Sequence, residues 1–402
     1  MKVAGIIAEY NPFHLGHAHQ IRFLREAGFD FVVICMSGDF VQRGAPAIVD
    51  KYTRARMALS GGADLVLELP SLFAVSSAEY FAAAGVKLLA ALGCVDTLCF
   101  GYEGEAPGEI RTLLCSLADY LNEEPASFRT LLGERLRDGL SYPAARAKAL
   151  SDAFPEAGGF LSHPNNILAL EYTRAIRRFG LSLSLLPIPR TDDGYHGVRS
   201  AEGIRALLFS GESADDYLPA EAAKLLRHAA ASSHLTAPND FSPMLLYQLL
   251  REDDFTKYAD CSRDLSKKLL KVRSRAATFS ELVSFLKTKD LTYTRISRVL
   301  MNILLDHRQE TLDAYERADS KNTLYAKILG FRRDRSPLLS VLKQSASIPL
   351  VSKCADASGL LSADQHRLFS LDIHASKVYH LVDSAKTGAH FPNDFEHPLE
   401  IL

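Results

Sequence analysis

The sequence has no tryptophan, few cysteines and almost no net charge. Its 6 cysteines form no C-x-x-C pair, which argues against a zinc site or a disulfide framework and favours reduced, buried thiols. The net charge of -2 excludes a chain that is basic throughout, so any surface that binds nucleic acid must be confined to part of the chain. The sequence also lacks a secretory signal pattern and any apolar run near the roughly 20 residues of a membrane span. We therefore expect a cytoplasmic protein with no membrane segment.

Short apolar segments alternate with amphipathic ones over the first hundred residues. The apolar segments are rich in Val, Ile, Leu and Phe, as buried parallel strands are. The predicted strands cover residues 2–8, 31–36, 64–69 and 95–100. The predicted helices between them cover residues 17–28, 51–60 and 78–92. This alternation is typical of a doubly wound α/β domain.

The rest of the chain is mainly helical in pattern. Residues 103–160 contain several prolines and predict a helical insertion. The following predicted elements are a helix at 165–178, a fifth strand at 181–188, a loop at 190–199 and a helix at 200–210. We therefore predict a domain over residues 1–211 with a five-stranded parallel sheet. A mainly helical domain follows over residues 212–402, with one short strand at 348–353.

The motif Asn11-Pro12-Phe13-His14-Leu15-Gly16-His17 directly follows the first predicted strand. Its pattern indicates a loop and then the start of a helix, where free backbone N–H groups and the helix dipole attract phosphate. Gly16 leaves room for close approach, and two imidazoles can donate hydrogen bonds to a phosphorus centre whose oxygens gain charge. The alternative is that both histidines are capping or surface residues.

The segment after the second predicted strand also carries polar side chains at the ligand-binding edge of the sheet. The candidates for contact with a phosphate or another part of the substrates at this edge are Ser37, Gly38, Asp39, Gln42, Arg43 and Lys51. A solvated turn is the alternative for the segment from Ser37 to Gly44. Lys51 begins the next helix, so it can either reach a phosphate or lie on the surface.

Later strand ends and helix starts supply further candidates. Gly101 allows an adenine or ribose to lie against the backbone, although a plain turn would also need it. Asn165 or Asn166 can cap a helix or bind a nucleotide. Arg190 follows the end of the fifth predicted strand, at the same edge of the sheet. Ser200 supplies a hydroxyl at another predicted helix start, and Arg205 follows one turn further on.

These motifs resemble known families. The His14-Leu15-Gly16-His17 sequence is similar to the signature of the H-x-G-H nucleotidyltransferase superfamily, whose members attack the α-phosphate of a nucleoside triphosphate and release pyrophosphate. The runs 8–17, 37–44, 62–66 and 68–70 together resemble the bacterial tRNA(Met) cytidine acetate ligase family. The runs 164–168, 293–298 and 325–331 extend this resemblance into the helical half.

The resemblance implies an enzyme that forms acetyl-adenylate from acetate and ATP, with Mg²⁺ accompanying the nucleotide and without acetyl-coenzyme A. It then acetylates N4 of the wobble cytidine of elongator tRNA(Met). His14 and His17 are the implied catalytic residues, and no protein-bound metal is expected. The implied ATP-binding residues are Ile7, Ala8, Glu9, Tyr10, Asn11, Pro12, Phe13, His14, Leu15, Gly16, His17, Ala18, His19, Gln20, Gly101, Asn165, Asn166, Arg190, Ser200 and Arg205.

A locally basic segment, residues 257–302, offers a surface for RNA. It has eleven Lys or Arg against four acids, a balance of +7. The candidate tRNA-binding residues are Lys267, Lys268, Lys271, Arg275, Arg295 and Arg298. An ordinary charged helical face is the alternative. At the level of function, the alternatives are a small-molecule adenylyltransferase and a non-catalytic RNA-binding protein.

Overall fold

A computed structural model describes residues 1–104, 109–140, 142–190, 200–232, 234–289, 291–317 and 324–402. The predicted loop at 190–199 therefore lies outside the described residues from position 191 onwards. The predicted α/β class is confirmed, because a mostly parallel sheet is surrounded by helices. No helix in the described parts of the chain is long and apolar enough to cross a membrane.

The first half of the chain contains the central strands and the helical insertion. The strands are β1 (Val3–Ala8), β2 (Phe31–Ser37), β3 (Phe40–Val41), β4 (Ala45–Pro46), β5 (Leu65–Leu69), β6 (Thr97–Tyr102) and β7 (Ser184–Pro189). The helices are α1 (Leu15–Glu26), α2 (Lys51–Ser60), α3 (Ser71–Ala74), α4 (Ala78–Ala91), α5 (Ile110–Glu123), α6 (Ala126–Arg137), α7 (Tyr142–Ala153), α8 (Pro164–Arg178) and α9 (Ala201–Phe209).

The second half is mainly helical and returns to the sheet with three short strands. Its helices are α10 (Ala220–Ala231), α11 (Ser242–Arg251), α12 (Arg263–Val272), α13 (Phe279–Leu286), α14 (Tyr293–Leu304), α15 (Gln309–Arg317), α16 (Pro337–Ser345), α17 (Ala357–Leu360) and α18 (Ala363–Thr387). Its strands are β8 (Ala326–Phe331), β9 (Leu350–Val351) and β10 (Glu400–Ile401).

The main sheet has the strand order β10-β8-β5-β2-β1-β6-β7, with β9 beside β8. The five strands β5, β2, β1, β6 and β7 are parallel to one another, as predicted. The direction in which the chain adds strands reverses between β1 and β6. In doubly wound sheets a crevice opens outside the carboxyl ends of the strands at this point, and ligands bind there.

The prediction of a five-stranded sheet is wrong in strand number, because the described residues form a sheet of eight strands. β8 comes from the helical half and pairs antiparallel with β5, and β9 and β10 pair parallel with β8. The sequence prediction overlooked β8 because Lys327 interrupts its apolar pattern. The proposed boundary at residue 211 remains a prediction, and the structure adds that the chain beyond it completes the sheet.

Each central strand is buried on both faces, as parallel strands covered by helices are. In β2, Val33 and Cys35 belong to one hydrophobic core, whereas Val32, Ile34 and Met36 belong to a second core on the other face. The alternation follows from the two-residue period of a strand. The sheet, packed between helices on both faces, fixes the positions of the loops at its carboxyl edge.

A third hydrophobic core holds the helices α11 to α14 together. The hairpin formed by β3 and β4 contacts this helical layer. Phe40 of the hairpin belongs to the third core, and Gly44 lies against the backbone of Ser297 and Arg298 in α14. The hairpin after β2 therefore connects the carboxyl edge of the sheet with the basic part of the chain.

Candidate functional site

The two motif histidines lie at the N-terminus of α1, at the carboxyl end of β1. The Nδ1 atom of His14 accepts a hydrogen bond from the Gly16 backbone N–H at 3.1 Å. The Nδ1 atom of His17 accepts one from the backbone N–H of His14 at 3.2 Å. The two rings stack with their centroids 3.7 Å apart. Because both Nδ1 atoms accept, a neutral ring carries its proton on Nε2, and each Nε2–H is available as a donor.

The environment keeps both rings neutral. Burial, reinforced by the positive charge of Arg190, lowers the pKa of His14 to about 4. Burial, with His14 and Arg190 adding to it, holds the pKa of His17 well below its ordinary value. Neutral imidazoles can donate hydrogen bonds to phosphate oxygens without releasing a proton. Positive charge at the site must therefore come from arginine.

A buried arginine fixes the loop that carries the histidines. The Arg54 guanidinium is fully buried and donates to the carbonyl oxygens of Glu9 at 2.7 Å and Ser37 at 3.0 Å, and also to that of Gly38. It thereby joins the ends of β1 and β2. In the same loop, Asn11 accepts a hydrogen bond from the Ile48 backbone N–H at 2.7 Å. The sequence prediction did not identify Arg54 as part of the site, because an arginine in a first helical turn usually lies on the surface.

The opposite wall of the crevice is formed by β6, β7 and the start of α8. A side-chain carbon at Gly101 would lie 3.1 Å from the aliphatic carbons of Arg190, so the glycine makes room for that arginine. Arg190 approaches Glu103 at 3.8 Å. The sequence prediction missed Glu103, which also accepts a hydrogen bond from Asn165 at 2.5 Å. Glu103, which follows β6, therefore connects this wall to Arg190 after β7 and to Asn165 in α8.

Asn165 and Asn166 have different roles in the structure. Asn166 is fully buried, and its amide bonds the backbone N–H and carbonyl of Glu103, both at 2.8 Å, and the carbonyl of Phe160. This side chain therefore holds the end of β6 to α8. Asn165 is only partly buried. Neither asparagine caps α8, because the residue before that helix is His163. Asn165 is thus the better placed of the two for contact with a nucleotide.

The start of α9 lies against the motif loop. Arg205 donates from Nη1 to the Asn11 carbonyl at 2.7 Å. The Ser200 hydroxyl caps α9 by accepting from the Gly203 backbone N–H at 3.3 Å. On α1, Gln20 donates to the Cys99 carbonyl of β6 at 3.4 Å, and His19 faces Arg22 on the outside. The elements that carry these sequence motifs therefore meet at one edge of the sheet.

The segment from Ser37 to Gly44 forms the β3–β4 hairpin and its entry. Ser37 is buried, and its hydroxyl has no hydrogen-bond partner among the described residues. Asp39 accepts from the Lys51 backbone N–H at 2.8 Å, and Gln42 donates to the Ser76 carbonyl at 3.3 Å. Arg43 is exposed and pairs with Glu202 at 3.5 Å. Of these residues, Arg43 presents charge at the surface.

Lys51 is not available for a phosphate. Its ammonium is fully buried and lies 2.7 Å from Asp394, 3.0 Å from Glu68 and 3.6 Å from Asp39. Lys327 of β8 shares Glu68 and Asp394 with it. Burial opposes the charge of Lys51, but these carboxylates outweigh it and hold the pKa of Lys51 well above its ordinary value. The prediction that Lys51 contacts phosphate is therefore not supported, because its charge is used within the fold.

The basic segment divides into exposed and paired residues. Lys267, Lys268, Lys271 and Arg275 are exposed, and the Arg275 guanidinium lies over the partly exposed ring of Phe285. Arg295 and Arg298 instead bind the Asp260 carboxylate at 3.3 and 3.4 Å. The first group leaves its positive charge exposed to solvent. The second group holds α14 to the loop before α12.

No group of three or more His, Cys, Asp or Glu side chains that could hold a metal ion occurs among the described residues. A magnesium ion brought by a nucleotide usually keeps waters and phosphate oxygens as ligands and needs few protein groups.

Comparisons with known proteins show which family the chain belongs to. The model of the HIGH Nucleotidyl Transferase family matches residues 1–393. The tRNA(Met) cytidine acetate ligase of Acetivibrio thermocellus is 39% identical over 398 residues, which cover 94% of each chain. That of Clostridium kluyveri is 36% identical over 411 residues, 95% of each chain. The crystal structure of Thermotoga maritima TmcAL bound with alpha-thio ATP is 29% identical, with a TM-score of 0.91 over 100% of both chains. The chain therefore belongs to the HIGH nucleotidyl transferase family and, within it, to the family of tRNA(Met) cytidine acetate ligases.

Proposed function

We propose that this protein activates acetate with ATP and acetylates N4 of the wobble cytidine of elongator tRNA(Met). The observation that carries the proposal is the stacked pair His14 and His17, whose Nε2–H donors lie at a helix N-terminus beside Arg190. The near full-length similarity to proteins named tRNA(Met) cytidine acetate ligase supports the choice of substrates.

In the first step, an acetate oxygen attacks the α-phosphorus of ATP, and pyrophosphate leaves. The attacking carboxylate is already ionised, so this step needs no strong base. It needs orientation and stabilisation of the charge that develops on the phosphate oxygens. His14 and His17 donate from Nε2, and Arg190 supplies positive charge. Arg205, bonded to the Asn11 carbonyl, holds the motif loop in place. Acetyl-coenzyme A has no role in this scheme.

In the second step, the N4 amine of the cytidine attacks the acetyl carbonyl carbon, and AMP leaves. The tRNA must bring this base to the crevice, and its phosphates need a cationic surface. Lys267, Lys268, Lys271 and Arg275 are exposed on the helical layer that the hairpin contacts, which supports their assignment to the tRNA. Because Arg295 and Arg298 already bind Asp260, we assign them to positioning of this layer beside the tRNA.

The proposal is tested by acetate-dependent exchange of radiolabelled pyrophosphate into ATP, followed by acetylation of a tRNA(Met) transcript. Exchange that requires acetate, with acetyl transfer to the tRNA, is the expected result. Exchange that requires a phosphorylated small metabolite would indicate a small-molecule adenylyltransferase instead. Binding of tRNA without exchange under any condition would indicate a non-catalytic RNA-binding protein.

A further inference from the structure

Helix α13 leaves one large aromatic ring at the surface of the helical layer. The other apolar side chains with bulk in this helix recur at helical spacing and are buried in the third hydrophobic core: Phe279, Leu282, Val283 and Leu286. Phe285 lies outside this stripe and is 46% exposed. Packing of the core therefore does not account for a phenylalanine at this position.

The Phe285 ring is paired with a cation. The Arg275 guanidinium, from the loop that follows α12, lies 5.5 Å from the ring centroid. A cation and an aromatic face attract each other at this distance. Arg275 is exposed and forms no salt bridge with another residue that the structure describes. We call the Phe285 ring together with the Arg275 guanidinium the aromatic platform.

Further cations flank the aromatic platform along the chain. Lys267, Lys268 and Lys271 are exposed on α12, and Lys287 and Lys289 are exposed directly after α13. Within the described parts of the chain, none of these five lysines forms a salt bridge. Like charges repel one another, and a bound polyanion relieves that repulsion. Exposed cations around an aromatic ring suit single-stranded nucleic acid, because its bases stack on the ring and its phosphates meet the cations.

The ring adds a preference that the lysines do not supply. Lysines attract the phosphates of paired and unpaired RNA alike. The Phe285 side chain has no charge and no hydrogen-bonding group, so it gains from RNA only where the face of a base is free. In a duplex the neighbouring base pairs cover these faces, whereas the bases of a loop can be unstacked. The aromatic platform therefore favours an RNA loop.

The helical layer joins the aromatic platform to the crevice. Leu282 of α13 and Ile296 of α14 belong to the same hydrophobic core, so the two helices pack together. The other end of this connection is the β3–β4 hairpin, in which Gly44 lies against the Arg298 backbone in α14. The fold thus holds the platform on the layer that meets the edge of the crevice.

We propose that the aromatic platform stacks an unpaired base of the tRNA anticodon loop, a role that rests on the proposed function. The wobble cytidine belongs to that loop, so other unpaired bases stay outside the crevice when the cytidine enters it. One of them stacks on the Phe285 ring, while Arg275 and the lysines attract the adjoining phosphates. Every base has a π face, so this contact contributes affinity for a loop and does not select a sequence.

Filter binding of a tRNA(Met) transcript to the full-length Phe285→Leu variant, over a range of salt concentrations, tests the stacking. Leucine keeps an apolar side chain but has no π face. We expect the affinity to fall about tenfold, with the salt dependence unchanged because no charge is removed. Phe285→Tyr, which keeps the ring, should bind within about twofold of wild type. The matched control is Phe209→Leu, at a phenylalanine of α9 that is 49% exposed, and it should bind as wild type does.

The absence of tryptophan from the sequence permits a direct measurement of stacking. Phe285→Trp places a single indole at the aromatic platform, and a base that stacks on an indole quenches its fluorescence. We expect an anticodon stem–loop RNA to quench this variant and to leave Phe209→Trp unquenched. A duplex RNA with the same number of phosphates should bind through the lysines and leave the fluorescence of Phe285→Trp unchanged.

Three results would overturn the role of the aromatic platform. Equal tRNA affinity of Phe285→Leu and wild type would exclude a stacked base at this ring. An equal loss of affinity for the stem–loop and the duplex would exclude a preference for unpaired bases. Quenching of Phe285→Trp by polyglutamate as strong as that by the stem–loop would indicate a surface for acidic polypeptides instead.

Acetate-dependent pyrophosphate exchange separates this inference from the proposed function. The exchange needs no tRNA, so Phe285→Leu should exchange at the wild-type rate. Absence of exchange in the wild type would overturn the proposed function, whereas quenching of Phe285→Trp by the stem–loop would persist. Normal exchange without any quenching would overturn the aromatic platform alone.

Discussion

Gly44 at the tip of the hairpin and Arg298 in α14 are in such close contact that a side chain at Gly44 would overlap the Arg298 backbone nitrogen. Gly44 also has a φ of +74°, which L-residues adopt only at a cost. The contact fixes the hairpin between the crevice and the helical layer. Both partners there are backbone, so neither can move away as a flexible side chain could.

We expect Gly44→Ala to destabilise the protein more than alanine does at a glycine that has open space around it. Gly28 is the matched control, because it has a φ of +80° and nothing within 4 Å of an added side-chain carbon. The left-handed conformation costs each variant about 1 kcal/mol, and the overlap should cost Gly44→Ala about 1–3 kcal/mol more. Urea denaturation of both variants measures the difference. Equal stability of the two would show that the hairpin can move away from α14 at no cost.

Asp394 should be essential for stability, because it neutralises two buried lysines, Lys51 and Lys327. We expect Asp394→Asn to lower the free energy of unfolding by about 3–5 kcal/mol, since it leaves the buried positive charges with less compensation. Glu396→Gln, which removes a nearby exposed carboxylate, should change stability little. Chemical denaturation provides the measurement. A decrease below about 1 kcal/mol would mean that Glu68 and Asp39 suffice to balance the lysines.

His14 and His17 should be neutral donors over the physiological pH range. Long-range nitrogen–proton correlation spectra of protein with isotope-labelled histidine should show the Nε2–H tautomer for both rings. The His14 ring should begin to gain a second proton only near pH 4. Titration of either ring near its ordinary value of about 6.5 would contradict the described burial.

Replacement of either histidine should impair acetate activation. We expect His14→Ala or His17→Ala to slow acetate-dependent pyrophosphate exchange by roughly 100-fold or more, because each removes a donor to the transition state. His228→Ala, on the exposed side of α10, is the control and should exchange at the wild-type rate. Near-normal exchange in both active-site variants, with intact folding by circular dichroism, would remove them from the catalytic step.

The exposed basic residues should bind tRNA through its phosphates. We expect the triple variant Lys267→Ala, Lys271→Ala, Arg275→Ala to bind tRNA(Met) more weakly. The slope of the logarithm of the binding constant against the logarithm of the salt concentration should also be smaller in magnitude, by about 0.7–0.9 for each phosphate that the variant no longer neutralises. Pyrophosphate exchange should be unaffected. Lys343→Ala, an exposed lysine on α16, is the control. Unchanged affinity and salt slope in filter binding would exclude this surface.

Asp383 should make the protein less stable as pH rises. Burial raises its pKa to about 7, so the folded state binds a proton that the unfolded state loses near its ordinary value of 3.8. Stability from this group is therefore greatest below pH 4 and declines as pH rises to about 7. Asp383→Asn removes this dependence and keeps an acceptor for the Thr236 hydroxyl, 3.0 Å away.

We expect the stability of Asp383→Asn relative to wild type to increase by about 2–3 kcal/mol between pH 5 and pH 8, since one pKa unit corresponds to about 1.4 kcal/mol. Denaturation at both pH values measures this change. Asp216→Asn, an exposed carboxylate, should give no such trend. A difference independent of pH would mean that Asp383 stays ionised in the folded protein.

The sequence was sufficient for the elements whose burial follows a local pattern. The predicted helix at 51–60 has the bounds observed, and the first four predicted strands overlap those found. The same local pattern could not reveal β8. Lys327 breaks its apolar run, and only the distant Glu68 and Asp394 make a buried lysine acceptable there.

The site was predictable where residue type determines chemistry, and less so where long-range contacts do. The H-x-G-H motif located the two histidines, but the roles of Lys51 and Arg54 depend on partners far away in the chain. A lysine and an arginine at the start of a helix look alike in sequence whether they face solvent or the interior. Their burial is a property of the assembled fold.

The pairing of Lys51 with Asp394 also orders events during synthesis on the ribosome. The two residues are 343 positions apart, so α2 and the first parallel strands emerge long before Asp394 can add its carboxylate to those of Asp39 and Glu68. Until Asp394 has left the exit tunnel, the nascent sheet lacks β10, and the ammonium groups of Lys51 and Lys327 have the carboxylates of Asp39 and Glu68 beside them without that of Asp394. The buried charge cluster of Lys51, Lys327, Glu68 and Asp394 is thus complete only after residue 394 has been translated.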